Sequence, residues 1–307
     1  MDTEASDFQT AWERACKQAN IALLEASLEG LGLYYEMRMR FRGGEQACRA
    51  GLSTQAADLQ EASTAVVLRA RLLLWQASFQ VALGELEPAR QSRQEGEKLL
   101  DQLEPQGFDV RRPRAMYWQA EGEDQTDLQI KLDYFQRGIA LFQELGDTWR
   151  QAEMLIWAGE FAMRLGNGNQ ALQYQEEALR LSRQLGEPNL LLHSLRQINY
   201  LYFILNQVDH AHQIMQETAE FIETVEELPL RANAQMHMGG QLVWSGSFPE
   251  AIRSYESALP VLRRNCHGPT AAETERAFTL KPLSTNTRWT RSGGMPSRCS
   301  TERNRSM

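Results

Sequence analysis

The stretch from Leu141 to Gly246 repeats itself at a period of 40 residues. Ala171-Leu172-Gln173-Tyr174, followed by Ala178-Leu179, returns as Ala211-His212-Gln213-Ile214 with Thr218-Ala219. It returns again as Ala251-Ile252-Arg253-Ser254 with Ala258-Leu259. Gly159, Asn199 and Gly239 share one phase, and Gly166, Asn206 and Gly246 another. Leu141, Leu181, Phe221 and Val261 fall in register, as do Leu145, Leu185 and Val225. A fixed period of roughly 20–50 residues marks an array in which one unit cannot bury its own apolar face. Towards the N-terminus the phase falls on Lys131-Leu132, Ala89 and Gly44. The reading is an all-α superhelix, a solenoid of about six antiparallel helical hairpins. No strand-like alternation of β-branched residues competes with it.

Taken in order, the chain alternates helical stretches with stop signals. Phe8, Trp12, Ala15, Ala19, Ala22 and Ala26 keep a spacing of three or four, which predicts a helix over 8–28 with Asp7 as its N-cap. Arg38 to Gly44 is basic and glycine-containing and reads as the tight turn of a hairpin. No GKS or GKT follows it, so a phosphate-binding loop is not expected there. Helices follow over 62–83, 89–103, 111–121 and 128–145. The later pairs are 148–165 with 169–185, 189–205 with 208–226, and 230–245 with 248–264. Leu145-Gly146-Asp147 and Leu185-Gly186-Glu187-Pro188 put glycine just past a helix, with proline after the second, as helix stops require.

Composition narrows the function. Of the 307 residues 42% are apolar, enough for a sizeable core. A net charge of −8 and an isoelectric point near 5.3 argue against gripping nucleic acid or an anionic membrane, which needs a basic face. From Asn265 onward there are seven Lys or Arg against three Asp or Glu, a net of +4 that leaves −12 on the rest. Cys16, Cys48, Cys266 and Cys299 form no CxxC pair and read as single packed thiols of a reducing compartment. No signal peptide and no long apolar run is seen, so a cytoplasmic location is expected.

Several apparent sites dissolve on geometry. In Asp209-His210-Ala211-His212 the two imidazoles lie two residues apart, so on a helix they diverge by about 200° and cannot easily share a metal. His212 shares its phase with Leu172 and Ile252 and reads as half-buried packing. Glu176-Glu177 and Glu226-Glu227 read as solvated faces, and no nucleophile elbow stands out. No cofactor, no metal and no catalysis in this chain are expected.

The spacing of small residues carries a family resemblance. Gly159 lies 12 residues before Ala171 and Ala178 lies 7 after it, and Gly239, Ala251 and Ala258 repeat this. Small side chains there let two antiparallel helices approach closely. Together with the aromatics Phe135 and Tyr255 and the turns at Gly166 and Gly246-Ser247-Phe248, this phasing resembles the tetratricopeptide repeat (TPR) in a lengthened form. HEAT repeats share the length without the glycine–alanine phasing. Asn199, Gly138 and Thr218 depart from the favoured small residues, which weakens single repeats but not the class. Ala11-Trp12-Glu13-Arg14-Ala15, Leu31 to Tyr35, Arg38, Arg40-Phe41 and Gly44-Glu45 resemble the start of the repeat region in bacterial STAND proteins, signal-transduction ATPases with numerous domains. The resemblance spans residues 8–264 and implies a sensor that binds an inducer or partner and releases an ATPase from autoinhibition. No GxxxxGKS or GxxxxGKT occurs, so no ATPase site carries over, and no basic helix-turn-helix is recognisable.

In such arrays the first helix of each hairpin lines a concave groove. By that phase the resemblance implies a partner-binding groove made of Glu153, Ile156, Glu160, Met163 and Arg164, then His193, Arg196, Tyr200, Phe203 and Ile204, then Asn233, Met236, Val243 and Trp244. Aromatics, methionine and a few charges suit an extended or helical peptide. The expected occupant is a protein or peptide, or a small-molecule inducer, with no nucleic acid and no membrane. The expected division is a TPR-like domain over 1–264 and a disordered basic tail over 265–307. A frameshifted or truncated gene end explains that tail, as does a native basic segment for an acidic partner. The expected role is a scaffold or sensor. The alternative is the C-terminal sensor part of a STAND-type ATPase regulator whose catalytic domain lies outside this chain.

Overall fold

The computed structural model describes residues 3–37, 40–54 and 63–265. The described residues form thirteen α-helices and no strand. The helices are α1 (Thr3–Lys17), α2 (Ile21–Met37), α3 (Phe41–Leu52), α4 (Ser63–Ala82), α5 (Leu86–Leu103), α6 (Arg111–Asp124) and α7 (Leu128–Glu144). The remainder are α8 (Thr148–Arg164), α9 (Gly168–Leu185), α10 (Pro188–Ile204), α11 (Val208–Thr224), α12 (Leu228–Trp244) and α13 (Phe248–Asn265). From α2/α3 to α12/α13 they pair as six hairpins, and α1 packs as an added helix on α2 and α3.

The repeat phases map onto two devices. At the turn inside a hairpin, Gly166, Asn206 and Gly246 have φ of 83°, 57° and 81°. That left-handed conformation costs glycine nothing and suits asparagine better than most residues, which explains the asparagine in the middle repeat. At the crossing of the two helices the constraint is space. A Cβ on Gly159 would stand 2.4 Å from the Gln175 side chain, and one on Gly239 would stand 2.4 Å from the Tyr255 ring. Asn199 occupies that phase in α10, fully buried, with Nδ2 donating to the Ala211 carbonyl at 2.9 Å. Lys131 stands where its sister repeats carry alanine. It keeps its ammonium outside by donating to the Glu123 carbonyl and lying over the Phe161 ring.

Two expectations near the N-terminus are corrected. The stretch 8–28 is not one helix: it breaks after Lys17 at a turn in which Ala19 has φ 48°, and Asp7 lies inside α1 rather than at its cap. The stripe changes at the break: α1 buries Trp12 and Ala15, but α2 buries Leu24 and Leu28 and leaves Ala22 and Ala26 exposed. Phe41 to Gly44 is helical, not a turn. A Cβ on Gly43 would meet the Tyr35 ring at 2.8 Å and one on Gly44 the Phe79 ring at 2.6 Å, so these glycines serve close packing. Arg38, Met39 and the tail beyond Asn265 lie outside the described residues.

The largest core lies at this end. Trp75 stacks on Phe79 with ring centres 5.6 Å apart, and both are buried against Tyr35, Leu28 and Leu31. Gly32 makes room for Trp75, since a Cβ there would stand 2.3 Å from the indole. Gly30, two residues away on α2, has open space around it. Gly32→Ala is therefore expected to cost about 1–3 kcal/mol by overpacking, and Gly30→Ala to gain about 1 kcal/mol from helix propensity. Urea midpoints of the two variants check the opposite signs.

The first helices of the hairpins form an inner layer. Contacts join α2 to α4, α4 to α6, α8 to α10 and α10 to α12, while the second helices stand further from their counterparts. The array therefore curves with its first helices inside. This is the architecture of TPR-like helical-repeat solenoids.

Candidate partner-binding groove

The inner face has two halves of different chemistry. Between α2 and α8 it is filled by its own ion pairs. Arg71 of α4 pairs with Glu29 of α2 at 3.2 Å, and Arg112 of α6 pairs with Asp147, the N-cap of α8. Arg150 of α8 meets Glu153 at 2.9 Å and Glu36 of α2 at 3.3 Å. The last contact joins residues 114 apart and draws α8 towards α2 past the two intervening hairpins. Burial raises the Glu36 carboxyl above the usual range, and the Arg150 guanidinium opposes it.

Between α8, α10 and α12 the inner face is not filled in this way. Its stripe carries Trp157, Glu160 and Arg164 on α8, then His193, Arg196, Gln197, Tyr200 and Ile204 on α10, then Asn233, His237, Gly240 and Trp244 on α12. The spacing of three and four keeps each set on one helix face. Trp157 meets His193 edge to face with centres 5.7 Å apart, and Tyr200 meets Trp244 in the same way at 4.9 Å. Gln197 Nε2 donates to Glu160 at 3.4 Å. Trp244 remains 49% exposed, so half of a large amphipathic ring faces outward at the groove's end.

Arg196 sits on α10 between the two aromatic contacts. It is part-buried, yet it forms no hydrogen bond or ion pair with a described residue. Burial pushes its pKa down, and Glu160 facing it pulls the other way. His193 Nε2 is buried without a hydrogen-bond partner. Burial, then the positive charge of Arg196, holds both His193 and His237 down at about 3. One turn beyond His237, Gln241 is buried with neither amide atom hydrogen-bonded.

The imidazoles give the fold an acid limit. In the native groove they titrate at about 3, and in the unfolded chain near 6.5. Between those values the unfolded state binds more protons, so their contribution is complete above about pH 6.5 and is lost as pH falls towards 3. From about pH 7 to about pH 5 the loss is expected to be about 2 kcal/mol for each imidazole. Arg196 is the charged group that acts on both imidazoles, and His237 also acts on His193. Urea unfolding at both pH values checks this, and His193→Gln with His237→Gln is expected to flatten the dependence.

The structure places the sequence-derived groove residues unequally. Glu160, Arg164, His193, Arg196, Tyr200 and Trp244 fall on the inner stripe. Glu153 does too, but it is held by Arg150. Ile156 is withdrawn from the set: it is 0% exposed and packs between α8 and α9 with Leu155, Ala178 and Leu181. Met163 and Phe203 are half-buried and pack against the repeat cores. Met236 is half-buried, and its neighbour His237 takes the stripe position, as Trp157 does beside Ile156. At one position on each of α8 and α12, Ile156 and Met236, the phase argument chose the residue beside the stripe, about 100° away around the helix. Trp157, Gln197, His237 and Gln241 are the residues it missed, and an unbroken three-four spacing from Arg164 and Trp244 would have found Trp157 and His237. His212 is exposed, not half-buried, as Ile252 is at the same phase.

Two clefts lie elsewhere. One of about 240 Å³ is lined by Glu176, Leu179, Arg183, Ile198, Tyr202 and His210 among others, and one of about 200 Å³ by Ile222, Leu228, Arg231 and Val261 among others. Both fall below the roughly 300–1,000 Å³ of small-molecule sites.

No model of a known protein family matches this sequence, and no curated protein matches it. Solved structures match its fold. The apo form of RapI superposes with a TM-score of 0.63 at 12% identity, over 82% of this chain and 68% of that one. A Rap conjugation gene regulator of the plasmid pLS20, in complex with a Phr peptide, gives 0.55 at 13% identity, over 89% and 79%. A STAND protein with a tetratricopeptide repeat sensor from Pyrococcus horikoshii gives 0.52 at 13% identity, over 87% of this chain and about half, 48%, of that one. At these identities the likeness is one of fold: this chain is a TPR-like helical-repeat solenoid. Among the described residues no helix is long and apolar enough to cross a membrane.

Proposed function

We propose that this chain is a binding protein, not an enzyme, that holds an extended peptide segment of a partner protein against α8, α10 and α12. The observation that carries the reading is the open half of the inner face. There Tyr200 and Trp244 bridge two helices beside an arginine with no hydrogen-bond or ion-pair partner among the described residues, while the other half is closed by its own ion pairs. Aromatic anchors beside unsatisfied polar groups are what a peptide segment needs for affinity and register. The pLS20 regulator, of like fold, is seen with a peptide. A small inducer is the lesser reading, since both clefts lie off this face and are small. The sensor fold of the STAND protein favours a regulatory setting, in which the chain reports its occupant to an ATPase carried elsewhere. Its place is the cytoplasm, with the basic stretch after residue 264 outside the repeat domain.

The test is selection of binders from a displayed random peptide library. Tyr200→Ala with Trp244→Ala is expected to weaken the selected peptides about 100-fold, the loss of two hot-spot aromatics, with an unchanged helical circular dichroism spectrum. Equal binding by the double variant, or no peptide selected at all, would remove the reading.

A further inference from the structure

We infer that Arg196, His193 and His237 together receive a carboxylate group of the bound peptide. The inference rests on the peptide reading of the groove and names the chemistry that the groove selects.

Sequestered arginines elsewhere in the molecule show what Arg196 lacks. Arg71 has Glu29 and Glu25, Arg93 has Asp124 and Glu121, Arg114 has Asp101 and Glu104, and Arg150 has Glu36 and Glu153. Each of these four guanidinium groups lies against carboxylate oxygens, which offset the cost of burying its charge. Arg196 is drawn out of water with no such match among the described residues. The deficit continues on both sides of it. His193 Nε2 is buried and unbonded, His237 on the facing helix makes no hydrogen bond to a described residue, and Gln241 leaves both amide atoms unmatched. A cluster of unmet polar groups from two helices, at one place on the inner face, is a site awaiting a ligand's oxygens.

The charge count selects the anion. At neutral pH both imidazoles are uncharged, so Arg196 is the one full positive charge of the cluster, and Glu160 faces it from α8. With Glu160 counted the cluster is neutral before a ligand arrives, so a monoanion adds the least charge to it, and a carboxylate also matches the planar fork of a guanidinium. A phosphate dianion would bring twice that negative charge beside Glu160. A neutral imidazole still carries one N–H, which can donate to a carboxylate oxygen. The aromatic contacts on either side, Trp157 with His193 and Tyr200 with Trp244, shield the pair from water and strengthen it.

The full chain is tested against bead-bound decapeptide pools. One pool is random and contains Asp and Glu. A second replaces them by Asn and Gln, a third amidates the C-terminus, and a fourth adds phosphoserine to the second. Retention of the first pool is expected to exceed that of the second by about 10-fold or more. Arg196→Met is expected to bring the two level, and Arg196→Lys to restore part of the difference. The third pool tells a side-chain carboxylate from a terminal one, and either source supports the inference. Equal retention of the acidic and amide pools by the wild-type chain overturns it and leaves the peptide groove standing. Preference for the phosphoserine pool overturns it in favour of phosphate. If no pool is retained, the peptide reading falls. The carboxylate site is then decided by imidazole NMR with glutarate in chloride-matched buffer. Saturable shifts of His193 and His237 that vanish in Arg196→Met sustain it, and their absence removes it.

Discussion

Arg150→Met is expected to destabilise the protein by about 3–5 kcal/mol, the cost of removing one partner from a buried ion pair. The Arg150 side chain is only 6% exposed and holds two carboxylates, Glu153 on its own helix and Glu36 on α2. Its guanidinium also lies 5.5 Å from the centre of the Trp75 ring and 5.1 Å from that of Trp149. Methionine keeps most of the stem packing, so the loss isolates the charge and the ring contacts. What remains is Glu36 in a site where burial already raises its pKa, now without its counter-ion. In the variant the folded state then binds more protons than the unfolded one above the usual carboxylate range, because the Glu36 pKa is raised. The deficit is therefore expected to narrow as pH falls and Glu36 takes up a proton. Urea unfolding at several pH values checks both the size and the slope. A deficit under about 1 kcal/mol would mean that the link between α2 and α8 behaves as a surface pair.

That link shows what one sequence could not reveal. The period, the hairpin count and the turns were legible because each rests on local chemistry: a left-handed residue at 166, 206 and 246, and a small one where helices cross. The mutual approach of α2 and α8 rests on the accumulated curvature of four hairpins, and no local pattern marks Glu36 as the partner of Arg150. The groove was legible to the nearest helix face and not to the residue. Counting from the small residue at 159 took Ile156 for Trp157, and counting from 239 took Met236 for His237. Each slip moves that one position about 100° around its helix, while Glu160, Arg164 and Trp244 from the same reading stay on the stripe. On α10 the same count reached His193, Arg196 and Tyr200. It could not mark the one among them that matters most, because the absence of a partner is a property of the assembled interior. The N-terminal break at Ala19 was hidden for a related reason. Ala22 and Ala26 continue the spacing of Trp12 and Ala15 along the sequence, yet α2 turns Leu24 and Leu28 inward instead.

Arg196→Met is expected to have the opposite sign to its counterpart on α8, raising stability by about 1–2 kcal/mol while abolishing preference for acidic peptides. The two arginines share the inner face, the helix type and partial or full burial, and differ in what surrounds the charge. Removing Arg150 strands two carboxylates. Removing Arg196 breaks no ion pair with a described residue, and Glu160 loses only the more distant charge that faces it. The change deletes an uncompensated, part-buried charge and leaves an apolar stem of similar reach. It also relieves the neighbouring imidazoles of a positive charge, so the His193 and His237 pKa values are expected to rise from about 3. The acid limit of the fold then moves to lower pH, because less of the gap to the unfolded value remains. Binding moves the other way. A charge-assisted contact to a carboxylate contributes about 1.5–3 kcal/mol, which is roughly 10- to 150-fold in affinity. A gain in stability together with a loss of selectivity is the signature of a residue retained for recognition at the expense of the fold. A loss of stability in Arg196→Met, measured by urea unfolding, would instead make Arg196 a packing residue and deprive the groove of its anion site.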